Sequence, residues 1–188
     1  REDSHSRFDG REIFRFDTFG DEQLWTDVLR LHEAVQTVSP TTALSVGLKV
    51  DVNALPQAIV DKLLAKEVDL NDPAVTMTLL KLNAVVGVIG KVSADGKLER
   101  VGVTCALCHS TVDNSFSAGI GKRLDGWPNR DLNVGAIIAL SPAVSDAEKL
   151  LLNQWGPGKY DPRHNIDGLD KPVVIPPAYG LAGIHKIT

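Results

Sequence analysis

The sequence predicts a mostly α fold, with a small β-hairpin midway along the chain and an extended C-terminal segment. Three observations carry this. Apolar residues recur at helical spacing behind good caps in several stretches, two β-rich runs flank the turn Ala94-Asp95-Gly96, and beyond Gly156-Pro157-Gly158 the chain is proline-rich without periodicity. The chain has 188 residues, 43% hydrophobic and 23% charged, which suits a single domain with a sizeable core.

Residues 1–10 are polar and read as a flexible lead-in. Asp17-Thr18-Phe19-Gly20 makes a turn, after which Asp21 and Glu22 place acids in the first turn of a helix. That helix runs through Leu24, Trp25, Val28, Leu31, His32 and Val35 to Ser39-Pro40, and its apolar stripe turns His32 inward. Thr41 to Val52 fits helix or strand. Pro56 opens a helix over 57–66 with Ile59, Leu63 and Leu64 inward, and Asp72-Pro73 is an N-cap with proline at N1 for a helix over 74–83 carrying Met77 and Leu80. The runs 85–92 and 97–104 form the hairpin. Turns follow as far as Asn129, then a helix over 131–140, and a second opened by the capping box Ser145/Glu148 and running to Trp155. Residues 156–188 are the extended segment.

The chain's two cysteines both stand in Cys105-Ala106-Leu107-Cys108-His109, directly after the hairpin. C-x-x-C-H is the spacing that attaches a haem covalently. Each thiol adds to one porphyrin vinyl group, and His109 follows at the position from which its imidazole reaches the iron. A structural zinc site would need two further ligands at matching spacing, and no second C-x-x-C or H-x-x-x-H exists here. A thioredoxin-like pair would need a βαβ setting, which the flanks do not supply. The motif therefore predicts one haem c, held by Cys105, Cys108 and His109, in a cytochrome c-like haem domain spanning residues 1–188.

The sixth iron ligand separates an electron carrier from an enzyme or sensor. His5, His32, Met77, His164 and His185 are the candidates. His32 is the best placed, on its apolar stripe, although a buried histidine satisfied by a carbonyl gives the same pattern. Met77 is the only methionine and precedes the motif, whereas the distal methionine of short c-type cytochromes follows it; Met77 also suits plain core packing. His164 and His185 lie in the extended segment. An open or water-bound iron is the remaining case.

Two further runs carry chemistry. Within Gly121 to Arg130, Arg123, Trp127 and Asn129 offer a guanidinium, an indole N–H and an amide that would suit haem propionates; a solvated surface loop has the same composition. Asp161, Asn165, Asp167 and Asp170 crowd oxygen donors that would suit calcium, but the spacing is not that of an EF-hand and a solvated turn is the stronger reading.

The net charge of -4 and the lack of a Lys/Arg run give no footing for nucleic acid, and no apolar run approaches a membrane span. The chain starts at Arg1-Glu2-Asp3 without a signal-peptide apolar core, which reads as a mature or trimmed product. Haem c is attached outside the cytoplasmic membrane, so a periplasmic or otherwise extracytoplasmic location is expected.

Phe19-Gly20-Asp21-Glu22 with Leu31-His32-Glu33, Gly102 to Asp113 across the motif, and Gly119 to Gly135 together resemble the N-terminal half of the di-haem cytochrome c peroxidase and MauG group. The resemblance implies a helical haem fold with the N-terminal helix near the distal side of the iron, in keeping with His32. A second C-x-x-C-H domain normally follows in that group, and none is present here, so a two-haem cycle cannot be completed within this chain. The leading expectation is an extracytoplasmic electron-transfer protein, whose partners are redox proteins or a larger electron-transfer assembly. The alternatives are a peroxidase-like haem domain with an open or displaceable sixth site, for which Glu33 is the local acid-base candidate, and a gas-sensing haem module.

Overall fold

The computed structural model describes residues 9–162 and 170–179. Helix takes 38% and strand 17%, so the fold is mixed, with more strand than a mostly helical reading allows. A helix begins inside the stretch 1–10, at Gly10. Asp9 caps helix α1 (Gly10–Phe16) by accepting from the Arg11 N–H.

The long N-terminal helix does not form as one element. A π-helical turn over Gln23–Val28 is followed by Arg30 in the left-handed region (φ 52), and α2 (Leu31–Val35) begins on a new axis. The single stripe through Trp25, Val28 and His32 is therefore broken: Trp25 is buried while Leu24 and Val28 are exposed. Ser39 does not merely end this region. It caps α3 (Pro40–Ser45), resolving the ambiguity of Thr41 to Val52 in favour of a short helix, then strand β1 (Val50–Asp51) and a 3-10 turn over Val52–Ala54.

Helix α4 (Gln57–Leu64) half-buries Ile59 and Leu63 but leaves Leu64 in solvent. Helix α5 (Pro73–Lys81) starts on the Asp72 cap, whose carboxylate accepts from the Ala74 N–H at 2.8 Å, and it sinks Leu79 and Leu80 into the core. The hairpin forms as β2 (Val88–Val92) against β3 (Leu98–Val103), antiparallel, with a register shift at Lys91/Val92.

The motif is helix α6 (Cys105–His109), followed by β4 (Ser110–Val112), β5 (Ile120–Gly121) and β6 (Arg123–Asp125). β4 pairs antiparallel with β6, and β5 pairs parallel with β1, a contact across seventy residues of chain. Helices α7 (Val134–Ala139) and α8 (Asp146–Leu152) follow, the latter on Ser145, whose hydroxyl accepts from the Glu148 N–H at 3.3 Å. The C-terminal segment folds back: β7 (Lys159–Tyr160) pairs with β8 (Val173–Val174), and Ile175 is buried in the core. One apolar core joins the hairpin, α5, the inner faces of α2, α7 and α8, and Leu107 of the motif.

Candidate functional site

Helix α6 is a single turn held at both ends. Thr104 caps it, accepting from the Ala106 N–H at 3.3 Å and donating its hydroxyl to the Arg15 carbonyl at 3.1 Å. Positions i, i+3 and i+4 put Cys105, Cys108 and His109 on one side of the turn. Leu107 lies on the other side and lines an apolar cavity of about 90 Å³ in the core. Ala106 is buried against Val86, Val112 and Phe14. The side that bears the thiols and the imidazole is thus turned away from that cavity: Cys105 is exposed, and Cys108 and His109 are half-buried.

Gly87 makes this seating possible. It sits at φ +74, its carbonyl accepts from the Thr104 N–H at 3.0 Å, and a Cβ there would collide with the backbone of Ala106 and Leu107.

The imidazole is fixed from a distance. The Pro176 carbonyl, in the returning C-terminal segment, lies 2.9 Å from His109 Nδ1. A carbonyl only accepts, so Nδ1 carries the proton and the Nε2 lone pair is left for a metal. Neighbouring backbone bonds hold this arrangement: Gly126 N–H to His109 O (2.8 Å), Ala178 N–H to Gly126 O (2.8 Å), Ile175 N–H to Gly158 O (2.9 Å) and Asn129 N–H to Cys108 O (2.9 Å). The sequence carries no local signal for Pro176, because its partner lies 67 residues away.

Both thiols are free, and burial, with a smaller contribution from Cys105, pushes the Cys108 thiol up to about 11. Cys108 stays a neutral thiol at physiological pH, the form that adds across a vinyl group. Two thiols and a tautomer-fixed imidazole on one side of a short helix fit a covalently held haem.

The expected propionate partners serve three separate neighbours. The Arg123 side chain is 4% exposed, and its Nε donates to Asp125 Oδ1 at 2.8 Å. Arg15 donates twice to Asp125 Oδ2 (2.8 and 2.6 Å) and the Ser110 hydroxyl donates to Oδ1 at 2.9 Å. Burial raises the Asp125 carboxyl, but the bonds from Arg15 and Ser110 and the charge of Arg123 outweigh it and hold the group below its usual range. Asn129 is buried, with its Nδ2 donating to the Gly47 carbonyl at 2.9 Å. Trp127 alone reaches solvent, its ring tilted by 50° against that of Tyr179 at 5.4 Å.

His32 is not brought to the motif. The N-terminal segment runs along β3 away from it: Asp21 accepts from the Val103 N–H, Thr26 bonds Val101, Arg100 pairs with Asp27, and Gln36 accepts from the Leu98 N–H. Gln36 also donates to the His32 carbonyl, which ties His32 to the Leu98 end. About 17 Å of strand separates Leu98 from Val103, the motif end of β3. His32 Nδ1 is buried without a partner among the described residues, and Nε2 lies 4.0 Å from Glu33. Glu33 is itself exposed and bonded to Arg30, which lowers its carboxyl. Met77 is half-buried against the core. His5, His164, His185, Asn165 and Asp167 lie outside the described residues. Among the described residues no group of three or more His, Cys, Asp or Glu is placed to hold a metal ion.

A second space is larger. This cleft of about 600 Å³ is bordered by the π-helical turn, α7, α8 and Tyr160 to Pro162. Burial is the main cause that pushes the Tyr160 phenol at its edge up. Comparison with protein-family models, curated proteins and solved structures finds no match for this chain.

Proposed function

We propose that this is an extracytoplasmic electron-transfer protein of cytochrome c-like architecture, carrying one haem c on Cys105, Cys108 and His109. The observation that carries the reading is the bond between His109 Nδ1 and the Pro176 carbonyl, which leaves Nε2 as the free nitrogen beside two unoxidised cysteines. The haem would supply a one-electron ferric/ferrous couple. The chain's own part is to keep Cys108 protonated for attachment and to hold the imidazole in one tautomer and orientation against the returning segment 171–179.

His32 at the far end of the hairpin favours a second reading, a peroxidase-like haem domain, because it removes the best sequence candidate for a sixth ligand. Protein made in a host competent for haem c maturation separates the two. An electron carrier titrates as a single reversible one-electron couple, and its ferric form is spectrally inert to cyanide and hydrogen peroxide over minutes. Rapid spectral change on adding either ligand transfers the assignment to the peroxidase-like reading.

A further inference from the structure

The 600 Å³ cleft has a chemistry of its own, independent of the haem reading. Its size falls in the ordinary range for a small-molecule site. Leu24, Val28, Ile138 and Leu151 make an apolar wall, on which Leu24, Val28 and Leu151 are exposed at the mouth. Trp155 and Tyr160 meet edge to face at 6.0 Å and form an aromatic end.

Beside them stands Asp161, only 2% exposed. Its Oδ2 accepts from the Lys171 N–H, whereas Oδ1 is buried with no hydrogen-bond partner among the described residues. Asp170, on the same wall, is engaged by the Trp155 indole N–H at 2.9 Å. Among the described residues no Lys, Arg or His lines the cleft. A buried carboxyl oxygen without a donor is costly. The group that meets this demand is a donor, a positively charged one is the strongest, and aromatic faces alongside favour a cation further.

We propose that this cleft binds an organic cation, a primary amine on an apolar body, with the ammonium group donating to Asp161 Oδ1. Anionic ligands are excluded by the acidic lining, and a wholly apolar ligand would leave Oδ1 unmet.

The test is calorimetric titration of the full chain with 3-phenylpropylamine and with its neutral counterpart 3-phenylpropan-1-ol. The amine should bind at least about tenfold more tightly than the alcohol, and Asp161→Asn should remove that difference while leaving the weaker alcohol binding in place. Val28→Trp, at a position 61% exposed and so harmless to folding, should block both ligands at the mouth. Equal binding of amine and alcohol, no effect of Asp161→Asn in a variant with unchanged circular dichroism, or no binding of either ligand would each overturn the proposal. Haem content, measured on the same samples, reports separately on the electron-transfer reading.

Discussion

At the scale of single residues, the two cysteines of one motif live in different environments, and that difference is measurable. In haem-free protein Cys105 is open to solvent, while burial holds Cys108 at about 11. Alkylation near pH 8 should therefore label Cys105 first and Cys108 slower by about tenfold or more, with the Cys108 rate climbing as pH approaches its pKa. Mass mapping of partly labelled protein checks this, and equal rates would contradict it. The sign of the linked stability also follows. A raised folded pKa means that the unfolded chain loses the Cys108 proton first, so this contribution is intact below the ordinary value of 9.0 and declines between there and about 11. His109 makes a second prediction: nitrogen NMR of the haem-free protein should show Nδ1 protonated and Nε2 bare, and the reverse tautomer would remove the structural reason for calling it a ligand.

Asp125 is a further residue on which the site leans. Its lowered carboxyl contributes stability that is present above the usual aspartate range and is lost as pH falls through the folded value. Arg15→Ala should cost about 1 kcal/mol in urea denaturation at pH 7, and the cost should shrink at low pH as Asp125 protonates. A cost independent of pH would mean that Arg15 acts through packing alone.

At the scale of elements, the motif helix is seated by Gly87 and held from behind by Leu107. Gly87→Ala forces both a positive φ and a collision with the α6 backbone, so it should destabilise by about 3 kcal/mol or more, measured by denaturant unfolding. A loss below 1 kcal/mol, on the order of an ordinary loop substitution, would show that α6 is free to shift. Which elements were legible follows from what determines them. The α5 and α8 starts announce themselves through Asp72-Pro73 and Ser145, because a cap needs only a side chain and an amide two or three residues on. The hairpin is equally local. The break at Arg30 was not legible, since arginine has no preference for the left-handed region and the bend is imposed by packing of Thr26 and Ser141: Thr26 bonds Val101, and the Leu29 carbonyl accepts from the Ser141 hydroxyl. The β1–β5 pairing was hidden for the same reason, as its two halves are two-residue segments far apart in sequence.

At the scale of the whole molecule, the C-terminal segment closes the site that the motif opens. Sequence inspection gives the segment as extended and proline-rich, which is what a strap needs, but nothing local says where it lands. It lands on Gly158, Gly126 and His109 through Ile175, Ala178 and Pro176. Native-state hydrogen exchange should accordingly find the Ile175 and Ala178 amides protected together with those of Gly126 and Asn129, as one cooperative unit. Fast exchange at Ile175 and Ala178 beside protected motif amides would mean that the strap opens independently and that His109 is not fixed by it.

The proposed covalent attachment of a haem to Cys105 and Cys108 is open to direct measurement. The direct test is the intact mass under denaturing conditions, with the pyridine haemochrome spectrum, of protein made in a haem c-maturing host. Covalent attachment predicts a mass gain of one haem that survives denaturation, a c-type α-band, and loss of both in the Cys105→Ala/Cys108→Ala double variant. An unmodified mass with both thiols still titratable would contradict it.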